Sequence, residues 1–259
     1  MVEFILVPTD FSKNAWIALQ YAANFAKETG AKLKVVHFFG QTEKTANGQM
    51  NTLLAQLKTE IPAIDCIGVC KRGNFNEGFI QMLKDEPCNL IIMGTKGASG
   101  LKYIIMGSNT LNMINQLSIP VLAVPENTVY HTINKVGLLS NYKNAEIDVM
   151  KKSIEVLPSP FILTLLHVRE NENEDEKLIL HTWKEVVKDQ TNLKNIESKI
   201  GIGYGSEIPL IVNSMIAENK INLLIATNNG KSFFKTLFNR DLIKAIALRL
   251  EIPVLFIKA

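Results

Sequence analysis

"NLIIMGTKGASGLKYIIMGSNT", Asn89 to Thr110, sets an apolar run against a glycine-rich connection. An apolar run (89–93) meets four glycines, at 94, 97, 100 and 107, and Ser108 follows the last of them before an apolar-periodic segment. Glycine loses more backbone freedom on folding than any other residue. A chain that keeps four in one connection needs positive φ there, or needs something to approach its backbone closely. An anion held by peptide N–H groups is the simplest such object, and a strand–loop–helix is the unit that holds one.

Working outward, the sequence has 259 residues, 47% of them hydrophobic, which suits one large or two ordinary domains. Its 28 basic and 25 acidic residues leave a net charge of +3. That balance supplies no electrostatic reason to expect nucleic acid or an anionic membrane as partner. No apolar run approaches the roughly 18 residues of a membrane span. The N-terminus, Met1 to Pro8, lacks a basic region and a small-residue cleavage site, so it reads as a first strand in a cytoplasmic protein. Cys66, Cys70 and Cys88 form no CxxC pair and read as reduced core thiols. The histidines at 37, 131, 167 and 181 show no metal-ligand spacing.

The chain repeats itself. Ile5-Leu-Val-Pro-Thr-Asp-Phe-Ser12 returns as Val136-Gly-Leu-Leu-Ser-Asn-Tyr-Lys143, pairing Asp10 with Asn141 and Phe11 with Tyr142. Leu33 to Phe38 returns as Leu163 to Val168, pairing His37 with His167. Leu90 to Gly94 returns as Leu223 to Thr227, and Ile119 to Val124 as Ile252 to Ile257. Four blocks in order mark a tandem duplication. We place the halves at residues 1–127 and 133–259.

Within the first half, β-rich runs alternate with helix-period segments. A helix is expected from Ser12, a plausible N-cap, to a stop at Gly30, with others near 48–60, 76–86 and 108–117. Strands are expected near 64–70, 89–93 and 120–124. Such alternation predicts a parallel sheet with helices on both faces. In the second half, the acidic run 170–176 reads as a solvated loop entering a helix, and Gly201-x-Gly203-x-Gly205 as a loop.

Ligands of open parallel sheets sit beyond the carboxyl ends of strands where the connections diverge. Pro8-Thr9-Asp10 and the glycine loop both lie at such ends. Asp10 suits a ligand N–H or hydroxyl; it equally suits a turn or helix cap. Gly94 and Gly97 would turn N–H groups toward one point, and Gly107-Ser108 would open a helix whose positive end completes a phosphate site.

Gly94-x2-Gly97-x9-Gly107-Ser108, Val7-Pro-Thr-Asp10 and Ile119-Pro-Val-Leu122 together resemble the universal stress protein (UspA-type) family, in its ATP-binding branch and in a tandem form. The resemblance covers nearly the whole chain. It implies two Rossmann-like α/β domains of the adenine nucleotide alpha hydrolase-like kind, each with a five-stranded parallel sheet. It further implies ATP or AMP as ligand, with or without Mg2+, adenine near Asp10 and phosphates on the Gly107-Ser108 helix start. By position Pro8, Thr9, Asp10, Met93, Gly94, Gly97, Gly107, Ser108, Asn109 and Thr110 take binding roles. Phe38 and Phe39 would line the adenine pocket, and Lys96 would reach a phosphate. The halves would pair about a pseudo-twofold axis through their last strands, with a further homodimer left open.

The second half departs from the motif. Thr227 stands for Gly94, Arg240 for Gly107 and Asp241 for Ser108, and only Gly230 keeps a motif glycine. A carboxylate at the helix start would cap its N–H groups and repel phosphate. Thr227 and Arg240 would also not take positive φ cheaply. One nucleotide per chain is therefore expected, in the first half. Three functions follow: a non-catalytic stress-response or signalling protein that binds the nucleotide, a slow ATPase or adenylating enzyme, and an interaction module with a relic site. No GxxxxGK[ST] motif and no Ser/His/Asp or Cys/His spacing favours the second. The first is preferred, because one half keeps every motif glycine.

Overall fold

The computed structural model describes residues 2–40, 42–95, 107–170, 174–228 and 252–258. The chain divides into two units, Met1–Thr132 and Ile133–Ala259.

In the first unit β1 is Phe4–Pro8, α1 Lys13–Thr29, β2 Lys32–Phe39, α2 Glu43–Glu60, β3 Cys66–Arg72, α3 Phe75–Asp85, β4 Leu90–Gly94, α4 Ser108–Gln116 and β5 Val121–Val124. The sheet is wholly parallel in the order β3-β2-β1-β4-β5. Local chemistry sets the elements. Ser12 caps α1 by accepting from the Ala15 N–H at 3.2 Å, and Gly30 ends that helix at φ 75°, where other residues are strained. The α1 face carrying Ala18, Leu19, Ala22 and Phe25 is buried on β1 and β4. Ile5, Val7, Leu90, Ile91 and Ile92 are fully buried in the central strands, as parallel strands covered on both faces must be. The chain steps from β1 to β2 on one side and from β4 to β5 on the other. The β1–β4 pair is therefore the topological switch point.

The second unit repeats the plan. Its elements are β6 Lys135–Leu139, α5 Ala145–Val156, β7 Ile162–Arg169, α6 Glu174–Thr191, β8 Ile196–Ile202, α7 Ile208–Glu218, β9 Leu223–Asn228 and β10 Val254–Lys258. Its described strands run β8-β7-β6-β9-β10, all parallel.

Two expectations need correction. The helix expected near 48–60 begins at Glu43, because its first turns carry only Ala46 into the core and so show no apolar period. The Gly201-x-Gly203 segment is not all loop: Gly201 lies in β8, and a Cβ on either glycine would fall within 2.3 Å of Ile211. Those glycines let α7 pack closely.

Candidate nucleotide site at the β1–β4 switch

The turn after β1 is held from several sides. The Thr9 N–H donates to the Val36 carbonyl at 2.9 Å, and Thr9 Oγ1 accepts from the Phe11 N–H at 3.0 Å. The Asp10 Oδ1 accepts from the Ser12 N–H at 3.0 Å. Phe11 takes φ 60°, unusual for a bulky residue, and its ring lies 4.4 Å from that of His37. His37 Nδ1 sits 2.8 Å from the Thr9 carbonyl oxygen. A carbonyl only accepts, so Nδ1 carries the proton. Pro8 and Thr9 are buried, while Asp10 is exposed at the end of the turn.

After β4 the requirement at Gly94 is contact, not backbone angle. Gly94 has no positive φ, and a Cβ there would stand 2.6 Å from Asn14 Nδ2 and 3.0 Å from the Asn14 carbonyl oxygen. Gly107 likewise sits at φ −54° and ψ 148°, open to any residue. The positive-φ argument against Thr227 and Arg240 therefore fails in its premise at both glycines. What Gly94 provides is room for α1, whose Asn14 is only 5% exposed.

Gly107 is the N-cap of α4, and its N–H donates to the Thr95 carbonyl. Among the described residues no side chain caps this helix, whereas Ser12 caps α1 and Asn74 caps α3, and no acid lies in its first turn. Ser108 and Asn109 are exposed there. Thr110 is buried, and its hydroxyl donates to the Gly94 carbonyl at 2.9 Å. That bond ties the helix start to the end of β4. Thr95, which sequence reasoning passed over, is 6% exposed, and its hydroxyl has no hydrogen-bond partner among the described residues.

The remaining sequence candidates lie as follows. Met93 is buried in β4. Phe38 packs its ring over Gly78 and at 6.0 and 6.4 Å from Phe75 and Phe79, and Phe39 is buried at the end of β2. Lys96 and Gly97 lie outside the described residues, as do Gly230, Arg240 and Asp241. A groove of about 400 Å³ runs along α2 beside Phe11, but none of its lining residues comes from the start of α4. Burial pushes the Cys66 thiol up to about 11 and Cys88 up to about 12, and raises Cys70 as well, all away from the thiolate form. Among the described residues no helix is long and apolar enough to cross a membrane.

The second unit builds the same first turn. Tyr142 takes φ 60°, its ring lies 4.6 Å from that of His167, and His167 Nδ1 donates to the Ser140 carbonyl at 2.8 Å.

Comparison with known proteins bears on the family and the fold. Residues 1–125 match the model of the universal stress protein family. A universal stress protein of Methanocaldococcus jannaschii is 27% identical over 154 residues, which are 48% of this chain and 95% of that protein. One of Thermus aquaticus is 28% identical over 138 residues, 48% of this chain and 99% of its own. The crystal structure of a universal stress protein from Archaeoglobus fulgidus shares the fold across both units, with a TM-score of 0.69, 19% identity, and coverage of 98% of this chain and 96% of that one.

Proposed function

We propose, from the premise that the chain belongs through residues 1–125 to the universal stress protein family, that its first unit binds one ATP or AMP and reports it without consuming it. The observation that carries this reading is the start of α4. Among the described residues it is a helix N-terminus with no side-chain cap and no acid in its first turn, beside the β1–β4 switch. The N–H groups of a helix start and its positive dipole end suit a phosphate. The buried Thr95 hydroxyl beside it supports the reading, since such a group costs about 1–3 kcal/mol until something bonds to it. Asp10, exposed beyond β1, is assigned to the base or ribose.

Two facts support binding without turnover. Asp10 Oδ1 and the His37 Nδ1–H, the side-chain groups at the β1 end that could move a proton, both hold the turn itself. Mg2+ enters this reading as the counter-ion of the triphosphate, and no described residue is assigned to it. The sequence argument for pairing the halves through their last apolar strands belongs to the same proposal. Mass spectrometry of the purified chain tests the reading. ATP or AMP is expected to co-purify and to persist unchanged on incubation, whereas accumulation of ADP would make the protein an ATPase.

A further inference from the structure

The two units hold the same turn with different carboxylates. In the first, the exposed Asp10 accepts from the N–H of Ser12, two residues ahead. In the second, Asn141 replaces Asp10, and the carboxylate comes instead from Glu146, the second residue of α5, as Asn14 is the second of α1. Glu146 Oε1 accepts from the Asn141 N–H at 2.8 Å, and Oε2 accepts from the Ser140 hydroxyl at 2.6 Å. The backbone of Lys143, two residues ahead of Asn141, also hydrogen-bonds to this carboxylate. Glu146 is 5% exposed and Ser140 is 2% exposed.

Backbone N–H groups and a hydroxyl converging on one carboxylate are the donor set of an anion-binding nest. A carboxylate so deeply buried persists only where its lone pairs are met. Burial pushes the Glu146 carboxyl up, and the hydrogen bonds from Ser140, Asn141 and Lys143 oppose that rise.

We propose that Glu146 is a built-in ligand: its carboxylate fills an anion pocket at the carboxyl end of β6 and closes it to anions from outside. The second unit thus carries internally the charge that the first unit's turn presents to solvent. The contrast in ligand binding between the units rests on the nucleotide reading of the first; the filled pocket does not.

Hydrogen exchange with formate as the probe tests this, and no nucleotide enters the experiment. In Glu146→Ala the Asn141 and Lys143 amides should exchange roughly tenfold faster than in the wild type, having lost their acceptor. Sodium formate should slow them again, and sodium chloride at equal ionic strength should not. The wild type should ignore formate. Glu146→Gln, which keeps an acceptor in place, should stay protected and equally indifferent. If Glu146→Ala does not fold in chloride, formate must restore folding. Failure of formate to restore either protection or folding overturns the proposal, as does a wild type that responds like the variant.

Discussion

The Nδ1–H of His37 donates to the carbonyl oxygen of Thr9 at 2.8 Å, one of the bonds that hold the turn after β1. It pins the imidazole beneath the left-handed Phe11, so strand β2 holds the loop that presents Asp10. His37→Ala should cost about 2 kcal/mol, roughly 1 from the hydrogen bond and 1 from the ring contact. His37→Phe should recover only the ring share. Hydrogen exchange across Thr9–Ala15 would read both, and unchanged exchange in the alanine variant would show that the turn does not depend on His37.

Gly94 tolerates no side chain while α1 stays where it is. Gly94→Ala should destabilise the first unit by about 1–3 kcal/mol through overpacking against Asn14. Adding Asn14→Ala should return only part of this, since the Asn14 carbonyl oxygen would still lie 3.0 Å from the new Cβ. Denaturant midpoints for the two single variants and the double one decide the matter; a neutral Gly94→Ala would refute the close-approach account.

Thr95 separates ligand binding from folding. Replacing its hydroxyl, unpartnered among the described residues, by a methyl in Thr95→Val should leave the empty protein as stable or up to about 1 kcal/mol more so. ATP affinity should fall about tenfold or more if the hydroxyl donates to a charged phosphate oxygen. Thr95→Ser should bind normally. Loss of stability with unchanged affinity would place the hydroxyl in the fold instead of the site.

The alternation of short apolar runs with helical periods was enough to read the parallel sheet, and paired blocks such as Leu33–Phe38 and Leu163–Val168 revealed the duplication. Caps at Ser12 and Gly30 were legible because capping is local chemistry. The reasons for particular residues were not. Gly94 looked like a demand for positive φ, but its cause is Asn14, eighty residues earlier and brought there only by packing. Glu146 escaped the repeat because the first paired block ends at Lys143, and carrying its offset onward sets Glu146 against the apolar Ala15. Three residues lead from Asp10 to the first residue of α1 and four from Asn141 to that of α5, so the second turn is one residue longer. The available signal was a pair of acids, Glu146 and Asp148, at the start of a helix whose counterpart α1 carries none in its first turn. Thr95 carried none, since an unpaired hydroxyl is visible only once its surroundings are built.

Glu146 also predicts a pH dependence. Its carboxyl is raised in the folded state above an unfolded value near about 4.3, so the folded chain binds the proton more tightly than the unfolded one. Stability from this group is thus fully present below the unfolded value and is lost as pH rises through the folded one. Glu146→Gln should remove that decline. Thermal unfolding of both chains from pH 4 to pH 8 should show curves that diverge above the unfolded value, and parallel curves would mean that Glu146 does not titrate in this way.

The central claim is that the start of α4 in the first unit receives the phosphates of a single nucleotide, and Ser108→Asp addresses it directly. An aspartate in this first turn should itself favour the helix by about 0.3–1 kcal/mol, so a folding defect would not account for lost binding. The decisive measurement is calorimetric titration of the intact chain with ATP, wild type beside Ser108→Asp. The account predicts a stoichiometry near one for the wild type and an affinity at least about tenfold weaker for the variant, from like-charge repulsion at the helix end. A wild type that binds no ATP or binds two, or a Ser108→Asp chain that binds as the wild type does, would contradict it.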